Sequence, residues 1–314
     1  MCAPSPIGKF CFAHSLDFTR LLKLLGLLVI AVVACSLLGT PAAAQDPPPA
    51  LPPAAQAQLD SLASRVAAQV RASKIDPALP KVFVMDFSDA SGARFSKLGS
   101  LLADNFADSL TAFASGFQVE NRRSFSAYLK ENWMGPDDLR DEAVCLTLAR
   151  SMGGAGIVRG TIETDANQKL RVSVNIDGIG PAWTADAQFP LTSELQNLLK
   201  QPATSFARSP ESVPSEPGLL QPGVDGASLP ICEFCPSPDY TDLARDAKYR
   251  GTVELSVIVT KNGAVESVVV LRGAPFALTQ QAVETVQKWK FKPAKFLGKA
   301  VPVRVPVDID FQLY

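Results

Sequence analysis

The sequence predicts an α+β protein: an N-terminal membrane or signal helix, a middle α/β domain with helices on a mixed sheet, and a small C-terminal β-β-α-β domain. Three observations predict it. Residues 21–44 are mainly apolar, with Lys23 their one charged residue. Residues 81–189 hold strand-like and helix-like patterns in alternation, as helices packed on a sheet require. In the final run every odd position is apolar: Val301, Val303, Val305, Val307, Ile309 and Phe311. Side chains alternate faces along a strand, so one face is buried and the other is wet.

The chain has 314 residues, enough for one to three domains. Its apolar content of 47 % supports globular cores, and its formal charge of −1 gives no reason to expect nucleic acid or a polybasic membrane patch. Residues 1–20 read as a cytoplasmic N-terminus and residues 21–44 as a signal peptide or membrane anchor. Three readings of that segment stay open. Ala42-Ala43-Ala44 before Gln45 fits signal-peptidase cleavage. Val32-Val33-Ala34-Cys35 resembles a lipoprotein box in which Cys35 is acylated. An uncleaved helix would need about 20 apolar residues to span. All three place residues 45–314 across the inner membrane. Residues 45–58 form a proline-rich spacer, and its Asp46–Pro53 run, as polyproline II, extends roughly 25 Å at about 3.1 Å per residue.

Residues 59–200 read as the α/β domain. Leu59, Leu62, Val66 and Val70 mark a short amphipathic helix. Lys81–Phe87 is a buried strand, and Leu98–Phe113 a helix whose stripe is apolar except for Asn105 and Ser109. Gly116–Glu120 is a second strand, with helices near Phe125–Trp133 and Asp138–Met152. Gly156–Ile162 and Leu170–Ile176 form a hairpin, and a further strand lies near Ala182–Phe189. Residues 201–229 are rich in Pro, Ser, Glu and Gly without periodicity, which predicts a flexible tether. Relaxed, it spans roughly 30 Å; taut, it reaches about 95 Å.

In residues 230–314, Tyr240–Lys248 predicts a short helix. Val253, Leu255, Val257 and Val259 alternate with Thr252, Glu254 and Ser256, and Asn262-Gly263 supplies the positive φ a tight hairpin needs. The return strand, Val265–Leu271, is apolar on both faces and is expected to be central. Leu278, Ala282, Val286 and Trp289 form one stripe of a helix running to about Lys290.

This C-terminal block resembles the TonB C-terminal domain. The residues that carry the resemblance are Pro238-Asp-Tyr240, Ala244-Arg245, Gly251-Thr-Val253, Asn262-Gly263, Ala282, Trp289-Lys-Phe291-Lys-Pro293-Ala294, Gly298 and the alternating last strand. The resemblance implies a periplasmic energy transducer that contacts outer-membrane TonB-dependent transporters, with inner-membrane proton-channel subunits of the ExbB/ExbD type as further partners. It also implies that a transporter peptide adds as a strand to an exposed sheet edge. Tyr240, Val301, Val303, Arg304, Val305 and Val307 are the expected partner-binding residues at that edge and at the module entry. The alternative is a cell-envelope scaffold not coupled to a motor. Thr241 stands where the family usually has proline, a small difference at the helix entry. The family's anchor often carries a histidine within the span; here the lone histidine, His14, precedes the apolar run and is expected to be solvated. The α/β block resembles the TolB amino-terminal domain, CsgG and FlgO through Val84-Met-Asp-Phe87, the Leu101–Leu110 helix, Asn121-Arg-Arg123 and Gly154–Thr161.

Pro302 and Pro306 remove donors from one side of the last strand. Either they face outward and suppress promiscuous pairing, or the available edge lies elsewhere. Cys232-Glu-Phe-Cys235 admits a redox couple, half of a metal site or a small disulfide loop. Pro236 follows where a redox helix would open, and no second CxxC completes a zinc site, so a local disulfide bracing the module entry is expected. Beyond position 14 there is no histidine, which removes Ser-His and Cys-His pairs and histidine metal sites. The sequence therefore predicts no catalytic residues, no cofactor and no metal. Asp86, Asp89, Asp104 and Asp108 are expected as solvated side chains, and Cys145 as a buried free thiol.

Overall fold

The computed structural model describes residues 50–73, 75, 78, 80–214 and 216–313. The anchor or signal segment, Cys35, His14 and the start of the proline spacer lie outside the described residues. Among those described, no helix is long and apolar enough to cross a membrane.

The N-terminal half of the described chain is helices on a six-stranded mixed sheet. Helix α1 (Pro53–Ala72) precedes β1 (Lys81–Val84), β2 (Ser88–Asp89), α2 (Lys97–Phe113), β3 (Gln118–Val119), α3 (Arg122–Glu131) and α4 (Glu142–Ser151). Then come β4 (Gly154–Thr164), β5 (Lys169–Asp177), β6 (Trp183–Pro190) and α5 (Ser193–Lys200). The main strand order is β3-β1-β4-β5-β6, with β2 beside β4. β1 is parallel to β3 and β4, whereas β4, β5 and β6 are antiparallel. Strand β1 shows why both faces are covered. Val82 and Val84 pack into one core with α1 and α2, while Phe83 and Met85 pack into the other with α3 and α4. Local chemistry starts the helices: Ser96 caps α2, Asn121 caps α3 and Asp141 caps α4, each accepting from a first-turn N–H.

The C-terminal part holds β7 (Ile231–Phe234), α6 (Asp242–Asp246), β8 (Gly251–Val259), β9 (Val265–Arg272), α7 (Leu278–Val286) and β10 (Lys290–Lys292). β11 (Lys295–Phe296), β12 (Lys299–Ala300) and β13 (Val303–Phe311) complete it. Its main sheet runs β13-β8-β9. The central strand is therefore β8, and β9 is an edge; the expectation that the return strand is central is corrected. The outer edge of β9 is covered in part by the chain before the module, whose Arg208 N–H donates to the Leu271 carbonyl at 2.6 Å. Helix α7 also stops short of the expected Lys290. Trp289 leaves the helix, and Lys290–Lys292 pairs with β7 as a second, two-stranded sheet.

The two halves share a core. Phe83, Phe125 and Leu129 lie in the same apolar cluster as Val253, Leu278 and Phe291. Polar contacts fix the junction. Arg272 Nε donates to Asp138 Oδ1 at 2.9 Å, and Gly273 N–H donates to the Trp133 carbonyl at 3.1 Å. A Cβ on Gly273 would lie 1.8 Å from the Asn132 carbonyl oxygen, so only glycine lets the backbones approach this closely. Phe206 and Leu220, in the stretch expected to be a tether, each contact one of the halves. Phe206 N–H donates to the Met134 carbonyl at 3.1 Å, and Leu220 makes a parallel bridge to Val303.

Candidate functional site

The final strand presents a rim whose chemistry follows from parity. In β13 the partners of Arg304, Pro306, Asp308 and Asp310 on β8 are Ile258, Ser256, Glu254 and Thr252. Pro306 has no N–H to give. Arg304 N–H, of the same parity, donates away from β8 to the Leu220 carbonyl at 2.9 Å. Antiparallel pairs alternate between bonded and non-bonded residues, so the even positions direct their backbone groups outward. Both prolines therefore face the outer rim.

Half of that rim is occupied. Leu220 N–H donates to the Pro302 carbonyl at 3.4 Å, and Leu220 accepts from Arg304. The Arg304 guanidinium reaches the Val213 carbonyl at 3.3 Å and Glu216 at 3.8 Å. Its Nε is buried without a partner. The other half differs. The outward backbone groups of Pro306, Asp308 and Asp310 have no partner among the described residues, and all three residues are exposed.

Beside this free half lies a groove of about 430 Å³ between Asp308–Gln312 and the segment Cys235–Tyr240, with Trp289 in its wall. Four contacts hold that wall. Cys232 and Cys235 are joined by a disulfide. Trp289 Nε1 donates to the Pro236 carbonyl at 2.9 Å. The Tyr240 hydroxyl donates to the Tyr249 carbonyl, and its ring meets Phe311 edge-on at 5.6 Å. Thr241 makes two hydrogen bonds here. Its Oγ1 accepts from Ala244 N–H, capping α6, and donates to the Phe276 carbonyl at 2.8 Å. A proline at this position would lack both.

The structure distributes the expected site residues unevenly. Tyr240 lines the groove. Val303 and Val305 are buried in the core. Val307 is partly buried against it, and all three point their backbone groups toward β8. Val301 precedes the strand and donates to the Ala294 carbonyl. Arg304 is on the rim, in contact with Val213, Glu216 and Leu220. Asp308, Asp310 and Trp289 are additional site residues; the sequence singled out neither aspartate and placed Trp289 on a helical stripe rather than at the site. The two prolines carried the signal for the aspartates, since a proline opposite a central strand must turn its missing donor outward.

In the α/β half, Asp86 was expected to be solvated and is not. It pairs with Arg122 at 2.7 Å, and Arg122 also binds Asp104 at 2.5 Å and the Val84 carbonyl at 2.6 Å. Burial alone would lower the Arg122 guanidinium; the two carboxylates outweigh it and raise it. This cluster ties α3 to β1 and α2. A cleft of about 190 Å³ lies past the end of β1, lined by Asp86, Ser88, Arg159 and Asn175 among others. Its Arg159 is already paired with Asp177 and Glu142.

Residues 236–313 match the family model described as Gram-negative bacterial TonB protein C-terminal. Protein tonB2 of Pseudomonas aeruginosa is 40 % identical over 79 residues, covering 25 % of this chain and 29 % of that relative. Among solved structures, the solution NMR structure of the Pseudomonas aeruginosa TonB CTD is similar over 29 % of this chain and 90 % of its own, at 21 % identity and TM-score 0.24. The LpoB C-terminal domain from Escherichia coli is similar over 42 % of this chain and 97 % of its own, at 9 % identity and TM-score 0.31. The family match spans the β8–β13 sheet, α7 and the groove wall from Pro236 onward.

Proposed function

We propose that the chain, whose residues 236–313 match the TonB C-terminal family model, is a TonB-like energy transducer that grips outer-membrane transporters by strand addition. The transporter segment adds to the outer rim of β13 at Pro306–Asp310 and lays its side chains in the groove beside Tyr240 and Trp289. Backbone bonds supply affinity and the groove sets register. The single observation that carries this reading is the unpaired half of the rim facing a rigid groove. The two rim carboxylates favour a segment with cationic side chains and discourage pairing with a second copy of the same edge.

The proposed setting is the periplasm, with the chain held in the inner membrane by residues 21–44 and coupled to proton-channel subunits of the ExbB/ExbD type. The test is a titration of residues 51–314 with peptides from transporter N-termini. The amides of Asp308 and Asp310 should shift first. If no such peptide moves them, the reading fails.

A further inference from the structure

A second surface lies on the two-stranded sheet and the hairpin that follows it. Ile231 is opposite Lys292 and Phe234 opposite Lys290, and cross-strand partners share a face. Ile231 and Phe234 are 63 % and 58 % exposed, large values for apolar side chains on a strand. The β11–β12 hairpin is tied to the chain leading into β7. Ser228 N–H donates to the Lys295 carbonyl, and Lys295 N–H donates to Ser228 Oγ, both at 2.9 Å. At its tip Leu297 is 87 % exposed, next to Phe296, which is also exposed.

The tip is built at a cost. Leu297 and Gly298 both have positive φ, 48° and 80°, as a tight two-residue turn requires. Asn or Gly adopts that conformation readily; leucine is strained there. Packing does not explain the leucine, because its side chain stands in solvent. Lys295 and Lys299 flank the tip on the hairpin strands, and Lys290 and Lys292 lie on β10; all four are exposed, and none forms an ion pair among the described residues. Two carboxylates are near in the chain. Glu233 sits within β7, and Asp225 is turned to the Gln221 N–H at 2.7 Å.

We propose that this face docks on an anionic phospholipid bilayer, with Leu297 and Phe296 entering the interface and the lysines meeting the headgroup phosphates. An apolar tip flanked by exposed lysines is the combination that such a surface rewards. A second copy of the chain is disfavoured, since it would set the same lysines against each other. The surface is separate from the β13 rim, so peptide titration of the rim and vesicle binding fail or succeed independently.

The experiment uses residues 51–314, one compact unit with its own cores. Flotation is measured with vesicles of equal parts phosphatidylglycerol and phosphatidylcholine, and with phosphatidylcholine alone. Binding is expected only on the anionic vesicles and should weaken with salt. Lys292→Gln and Lys295→Gln should each weaken it roughly five-fold. Leu297→Asn is the decisive variant: it relieves the turn, so Tm should hold or rise, while vesicle binding drops. Absence of flotation, equal flotation on neutral vesicles, or full binding by Leu297→Asn would overturn the proposal. So would a polyglutamate peptide that binds more tightly than the vesicles.

Discussion

The Arg304 backbone N–H donates to the Leu220 carbonyl at 2.9 Å, so a segment with no secondary-structure periodicity covers the first half of the rim on β13. Leu220 returns the contact through its own N–H to Pro302. The rim is thereby divided, with the half beyond Pro306 left open.

That division is testable by hydrogen exchange. Leu220→Pro removes the donor to Pro302 and disturbs the bridge. The Arg304 amide should lose protection while Val303 and Val305, bonded to β8, keep theirs. The net cost in stability should be about 0.5–1.5 kcal/mol, that of a single backbone bond.

Parity along β13 predicts opposite outcomes for neighbouring substitutions. Asp308→Pro removes an outward N–H, as Pro306 already does, and should change stability by less than about 1 kcal/mol. It should nonetheless abolish binding of a transporter peptide. Ile309→Pro removes a bond to β8 and a buried side chain, and should cost about 3 kcal/mol or more. Urea denaturation of the two variants separates these outcomes.

The junction between the halves depends on Asp138, whose carboxylate is nearly buried between Arg272 and the Gly135 N–H at 2.9 and 2.8 Å. Arg272→Met should cost about 1–2 kcal/mol, with solvent at the arginine moderating the loss. Limited proteolysis should then cut residues 201–229 sooner than in the parent protein.

Cys145 is buried in α4, and its Sγ donates to the Leu139 carbonyl at 3.0 Å. Burial pushes the thiol up to about 12 from 9.0. The folded state favours the neutral thiol, so its contribution to stability is complete below about pH 9 and lost as pH rises toward 12. A thiol reagent at pH 8 should leave Cys145 unmodified in the folded protein and react with it in denaturant. Rapid modification without denaturant would contradict this placement.

Short-range chemistry was legible from residues alone. Asn262-Gly263 makes its turn with Gly263 at φ 79°, and the odd positions Val303, Val305, Ile309 and Phe311 are buried. Alternation and positive φ are properties of a few adjacent residues, so they can be read without knowing what packs above them. The apolar cover of β1 on both faces was equally visible as an unbroken apolar run.

Contacts between distant residues decided the rest. Val265–Arg272 looked central because both faces are apolar, yet it is an edge covered by the chain near Arg208. Asp86 looked solvated until Arg122, on another element, was brought to 2.7 Å from it. Trp289 left its helical stripe to bond Pro236, and Val213, Glu216 and Leu220 settled on Arg304. None of these partners is near in sequence to the group it satisfies. A side chain's own pattern says whether it must be buried or paired; which neighbour does so depends on the free energy of the whole packed arrangement.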